Sequence, residues 1–190
     1  VPIPRPCSAY CRRFAALIAV PAIALMVGCS APDDTEAPPN GQGGAEEIDP
    51  EQAEAVEEVY RDVRGIYIDA MSGEHDLEDL RPELEERAAG QALDSLVADV
   101  ERFQEVGQVF EGEPEISTEV TALTMDTDPP AATLEDCWDD SNWRPVDAET
   151  GEPVPTPDKP ERRVIKVRAE QDDSDAWVLT EWRPEEGRTC

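Results

Sequence analysis

Positive charge is scarce in this chain. Its 190 residues hold 16 Lys and Arg against 45 Asp and Glu, a formal net charge of −29. Lysine is almost missing, with only Lys159 and Lys166. Nucleic-acid binding needs Lys and Arg to displace counterions from phosphate, so nucleic acid is excluded as a partner. An anionic lipid surface repels such a body too. Basic proteins, cations and neutral small molecules stay open. The plain reading of the charge is a solubility or salt-adapted surface.

Histidine is scarcer still. His75 is the only one, and it falls in "SGEHD", a break between helical patterns. A solvated loop side chain is the default there. Without it no Ser-His-Asp or Cys-His catalytic set can be assembled, and a zinc site is poor. The acid-rich stretches "MDTDPP" and "EQDDSDAW" lack the central Gly and closing Glu of a calcium loop, so they read as turns. No metal and no cofactor is expected.

Long apolar runs are also rare, and the one that exists stands near the start. Arg12 and Arg13 precede Phe14–Val27, 14 apolar residues. Positive charge followed by an apolar run of this length matches a secretory signal. It is short of the roughly 20 residues that a spanning helix needs. The run ends in Met26-Val27-Gly28-Cys29. That border resembles a bacterial lipobox, where the cysteine is acylated and the chain is cut before it. Residues 1–28 are then a lipoprotein signal peptide, and Cys29 carries the lipid. Two acyl chains, at roughly 0.8 kcal/mol per buried methylene, hold stably where one does not. The predicted address is the outer, extracytoplasmic face of the cell membrane, with the membrane engaged through the lipid. An ordinary signal peptide with a chance cysteine is the alternative, and export by the general or the twin-arginine route stays open.

Cleavage removes Arg5, Arg12 and Arg13 and no acid, so 13 bases then face 45 acids and the formal charge becomes −32. It also discards Cys7 and Cys11. Residues 29–49 form the lipidated cysteine and a Pro/Gly/acid-rich linker, which cannot bury enough apolar surface to fold. A tether of that length reaches roughly 25 Å.

Residues 50–190 are long enough for one domain with a core. Asp49-Pro50-Glu51-Gln52 reads as a helix start: an acid cap, Pro in the first turn and Gln three residues after the cap. Ala53, Val56, Val59, Tyr60, Val63, Ile66, Tyr67 and Ala70 then recur at steps of three and four, an amphipathic helix. Residues 77–89 read as a second helix interrupted at Pro82. Residues 91–106 read as a third, stopped by Gly107. Beyond it the period becomes two. Strands are predicted over 116–124, with Ile116, Thr118, Val120, Ala122 and Thr124 on one face, and over 131–139, 162–170 and 176–183; a short one is predicted at 108–111. The fold class is α+β, three N-terminal helices packed on a curved, mostly antiparallel sheet of about four strands.

This order, with Asp136, Cys137, Asp139, Ser141 and Trp143, then Asp147, Ala148, Thr150 and Gly151, then Trp177 and the terminal Cys190, resembles actinomycete lipoproteins with a nuclear-transport-factor-2-like cone domain. The resemblance covers roughly residues 50–190. It implies a fold and an address and little chemistry. Cone folds of this type can enclose a pocket between the first helix and the sheet. Some relatives use it for acid–base chemistry with an Asp base and a Tyr donor. Tyr60 and Tyr67 share a helix face, and Asp136 lies in a strand of undetermined direction, so these three are the candidate pocket residues. Alternatively the tyrosines are core and Asp136 faces solvent. Trp138, Trp143, Trp177 and Trp182 line a ligand site or fill the core.

With Cys29 acylated, Cys137 and Cys190 remain, in an oxidising compartment. A disulfide between them is the economical reading; two thiols or a metal pair are the alternatives. The function expected is a non-catalytic, lipid-anchored module that binds an envelope protein or supports the envelope. The alternatives are a small-molecule binding protein using the cone pocket, and an isomerase- or dehydratase-like enzyme.

Overall fold

The structure is a computed structural model, and it describes residues 48–156 and 160–190. The signal segment, Cys29 and nearly all of the linker lie outside the described residues. The first helix, α1, runs Pro50–Ser72. Asp49 caps it as its sequence requires, accepting from the Glu51 and Gln52 N–H groups at 2.9 and 3.2 Å. Gln52 does not close a reciprocal cap. Its side-chain oxygen accepts from the Trp177 indole at 3.0 Å, which ties the helix start to the last strand. Gly73 ends α1 with φ +74°, and a Cβ there would stand 2.7 Å from Val109 Cγ1.

The second helix, α2, covers Leu77–Glu85 and stops short of the predicted residue 89. The backbone beyond it bonds to another element. Leu179 N–H donates to the Arg87 carbonyl and Ala89 N–H to the Leu179 carbonyl, both at 2.9 Å. That segment covers the edge of the last strand, which would otherwise present unpaired groups. Helix α3 spans Gly90–Glu105 and buries Ala92, Leu96, Val97 and Val100.

Among the described residues six strands follow: β1 (Gln108–Gly112), β2 (Thr118–Thr124), β3 (Ala131–Asp139), β4 (Trp143–Asp147), β5 (Arg162–Gln171) and β6 (Trp177–Pro184). All pairings between them are antiparallel. The four main strands expected from sequence form one sheet in the order β2-β3-β5-β6, and β1 pairs with β4 in a second. Strand β4 was not expected. Pro145 at its centre, opposite Phe110, hid it.

The alternation expected across 116–124 holds only to Val120. A bulge between Val120 and Ala122 shifts the register, so Leu123 turns inward, Ala122 is exposed, and Ile116 lies outside the strand at 41% exposure. Helices α1 and α3 pack on the sheet's inner face and reach β1. Val56, Tyr60, Val63, Leu96, Leu134, Trp138, Val167 and Leu179 form the centre of the core.

On the opposite face the tail after β6 turns back over β5. Glu185 N–H donates to the Val164 carbonyl, and Val164 N–H to the Arg188 carbonyl. Arg188 forks Glu135 at 2.8 and 2.9 Å. The chain then closes in a disulfide between Cys190 and Cys137, with the two Cα atoms 5.8 Å apart.

Candidate functional site

Strand β3 decides where Asp136 points. Ala132, Leu134, Asp136 and Trp138 alternate onto the helix-facing side and are all buried. The carboxylate of Asp136, with no solvent exposure, receives two donors. Tyr60 Oη–H donates to Oδ2 at 2.5 Å, and Ser117 N–H to Oδ1 at 3.0 Å. The Tyr60 ring stacks on Trp182, with centroids 5.4 Å apart and planes 18° from parallel. Burial pushes the Tyr60 hydroxyl well above the usual phenol range. The charge and hydrogen bond of Asp136 push the same way, and Arg64 pulls weakly back. The hydroxyl therefore stays protonated and serves as a donor.

Arg64, one turn beyond Tyr60 on α1, completes this cluster. It is 7% exposed, donates to the Pro114 carbonyl, and holds its guanidinium 4.8 Å from the centre of the Trp138 ring. Burial lowers its pKa, against the opposing pull of Tyr60 and Asp136. The sequence reading missed Arg64, although a signal was there: it sits on the apolar stripe of α1 at the i+4 position from Tyr60. Arg64 Nε, Trp138 Nε1 and Trp143 Nε1 have no hydrogen-bond partner among the described residues.

Tyr67 lies two turns along the same face. Its ring centre is 6.3, 6.0 and 6.2 Å from those of Trp138, Trp143 and Trp182, and burial raises its pKa. Trp143 continues to Phe110 at 4.3 Å and Phe110 to Phe103 at 4.8 Å. Apart from Trp177, the aromatic side chains of the described residues thus form one continuous series, from the Tyr60–Asp136 pair out to the molecular surface.

That surface end is a cleft of about 900 Å³. Phe103, Phe110 and Trp143 line it together with Pro145, Pro153, Val154 and Pro155, and Arg102, Arg144, Asp140 and Glu161 add charge of both signs. Gly112 shapes the neighbouring wall. At φ +83° a Cβ would stand 1.9 Å from the Asn142 carbonyl oxygen, so no other residue fits there. A smaller cleft of about 460 Å³ shares Ser141, Arg144 and Pro153 with the first.

The structure therefore brings Tyr60 and Asp136 together and buries both with Tyr67, and none of the three lines either cleft. Asp136 does not face solvent. All four tryptophans are buried; Trp143 lines the larger cleft. His75 is exposed in its turn. In the "EQDDSDAW" turn, Asp172 Oδ1 accepts from the Ser174 and Ala176 N–H groups, which closes the turn on itself. No cluster of His, Cys, Asp and Glu able to hold a metal occurs among the described residues. Cys29 lies outside them.

No family sequence model matches the chain, and no curated protein matches it. Among solved structures the chain is similar to the intermembrane space region of the chloroplast protein ARC6. The TM-score is 0.46 and the identity 18%, over 70% of this chain and 95% of that one. A likeness of that degree carries no inference for this chain.

Proposed function

We propose that this chain is the folded body of a lipid-anchored, extracytoplasmic bacterial lipoprotein with a nuclear-transport-factor-2-like cone domain, and that it works as a non-catalytic binding module. The observation that carries the non-catalytic part is the closure of the Tyr60–Asp136 pair. An acid–base site must reach a proton on its substrate. Here the carboxylate spends both oxygens on the Tyr60 hydroxyl and the Ser117 N–H, and neither Tyr60 nor Asp136 has any solvent exposure. Three helices against an antiparallel four-stranded sheet support the cone reading. The Cys137–Cys190 disulfide supports an oxidising compartment, the setting in which such bonds persist. The surface cleft supports binding as the activity, with an envelope protein or a small molecule as the occupant.

The anchor is tested by Cys29→Ser in the full chain, expressed in a bacterium and fed a labelled fatty acid. The expected result is lipid label on the native chain in the membrane fraction, and on the variant no label, with release or accumulation of uncut precursor. Lipid label that persists on the variant overturns the anchor.

A further inference from the structure

Carboxylates outnumber cations more than threefold in the region after Cys29, so an arginine without an acidic neighbour is unusual here. Arg81, Arg87, Arg102, Arg162, Arg163, Arg168, Arg183 and Arg188 each pair with a carboxylate. Arg144 has none within ion-pair distance among the described residues. Its Nε and one terminal nitrogen both donate to the Ser141 carbonyl at 3.1 Å. That fork fixes the guanidinium plane and leaves its remaining N–H groups without a protein acceptor among the described residues. Arg61, Arg64 and Lys166 also lack a carboxylate within ion-pair distance among the described residues, but none of them borders a cleft. Arg144 lines both clefts, beside the Phe103–Phe110–Trp143 rings.

We propose that the larger cleft binds an organic carboxylate on a flat apolar body, with Arg144 taking the carboxylate and the Phe110–Trp143 wall taking the body. The volume, about 900 Å³, lies within the range of small-molecule sites. The pre-oriented guanidinium matches a carboxylate's planar geometry, and charge-assisted bonds of this kind are roughly twice as strong as neutral ones. The strongly acidic body repels an anion, and Asp140, paired with Arg163, and Glu161 line the same cleft, so recognition depends on this local group. Arg102 lies at the same cleft but spends its charge on Asp99 at 2.8 Å and covers Phe103, which makes it a wall and leaves the anion to Arg144. The proposal rests on the reading of the chain as a binding module and names the ligand class for it.

The test uses the purified full-length chain, with naphthoate and its uncharged amide as probes, followed by calorimetry and tryptophan fluorescence. Saturable binding of naphthoate to one site, with the amide at least about tenfold weaker, is expected. Arg144→Gln is expected to weaken naphthoate about tenfold, leave the amide unchanged and keep the wild-type melting temperature, since Arg144 is exposed. Equal binding of acid and amide overturns the proposal, as does an unchanged naphthoate affinity in Arg144→Gln or binding of neither probe. The lipid anchor is read separately by the Cys29→Ser labelling, so the two failures are distinguishable.

Discussion

Replacing Tyr60 by Phe removes one oxygen from the centre of the core and leaves the ring in place. The ring still stacks on Trp182, so little packing is lost. What changes is Asp136. Its Oδ2 loses the only donor the described residues give it, while Oδ1 keeps Ser117 N–H. A hydrogen bond to a charged group contributes about 1.5–3 kcal/mol, and a buried acceptor left unmet adds desolvation cost. Asp136 has no solvent exposure to recover the loss through water. Tyr60→Phe is therefore expected to cost about 3 kcal/mol, a large share of the roughly 5–15 kcal/mol of a typical domain. Asp136→Asn sharpens the argument. The amide keeps an oxygen for Ser117 N–H and offers an N–H to the Tyr60 oxygen, but the negative charge near Arg64 is gone. The double variant is expected to cost less than the two single changes added, with a coupling of about 1–2 kcal/mol. Urea unfolding followed by tryptophan fluorescence measures all four proteins, with the m-value as the check on cooperativity. Tyr60→Phe should leave naphthoate binding unaltered, because the cleft does not include it. A cost below about 0.5 kcal/mol at constant m, or a coupling near zero, would refute the reading of this pair as a buried hydrogen bond.

Two further predictions concern the tail and the turns. Cys137 and Cys190 are 53 residues apart, so Cys190→Ser is expected to lower stability by up to about 4 kcal/mol in the chain-entropy limit. Urea unfolding with and without reductant measures it, and reduced native protein should match the variant; a difference under about 1 kcal/mol would show that the tail adds little. Asp172 is held below the usual carboxylate range by its bonds to Ser174 and Ala176. A carboxyl depressed in the folded state stabilises fully above its unfolded value, about 3.9, and loses that contribution as pH falls through the lower folded value. Asp172→Asn should then destabilise at pH 7 and converge with the native protein in strong acid, and a gap that persists there contradicts the linkage.

The regular elements were legible because each carries its own period. The α1 stripe from Val56 to Ala70 is buried as the three-and-four spacing requires. The β3 alternation places Leu134, Asp136 and Trp138 on one face. What failed was decided by other parts of the chain. The end of α2 is set by Leu179, about 90 residues away, which takes the Arg87 and Ala89 backbone groups. The bulge in β2 turns Leu123 inward and Ala122 outward, and no periodicity within the strand announces it. Strand β4 exists through its ladder to β1, despite the proline opposite Phe110.

The site was legible in its members and not in its openness. Tyr60 and Asp136 could be named because the resemblance to cone domains implies an Asp base and a Tyr donor, and Tyr60 lies on the apolar stripe of α1, while the direction of Asp136 was not legible. Whether they face a void depends on the volume that other side chains fill. Trp138, Trp182, Tyr67 and Arg64 converge on them, and that convergence is a property of the packed core. The cleft posed the opposite problem. Arg102 and Phe103 on α3, Phe110 on β1 and Trp143 and Arg144 on β4 meet only when β1 pairs with β4. One element of that pair was invisible in sequence, so the cleft was invisible too. Arg144 adds a second layer, since a cation with no ion-pair partner among the described residues is recognised only after the carboxylates of those residues have been placed. The same scarcity of cations that excludes nucleic acid is what gives this one arginine its meaning. In a surface with acids to spare, a guanidinium held by a backbone carbonyl beside aromatic rings is left for an anion from outside the chain.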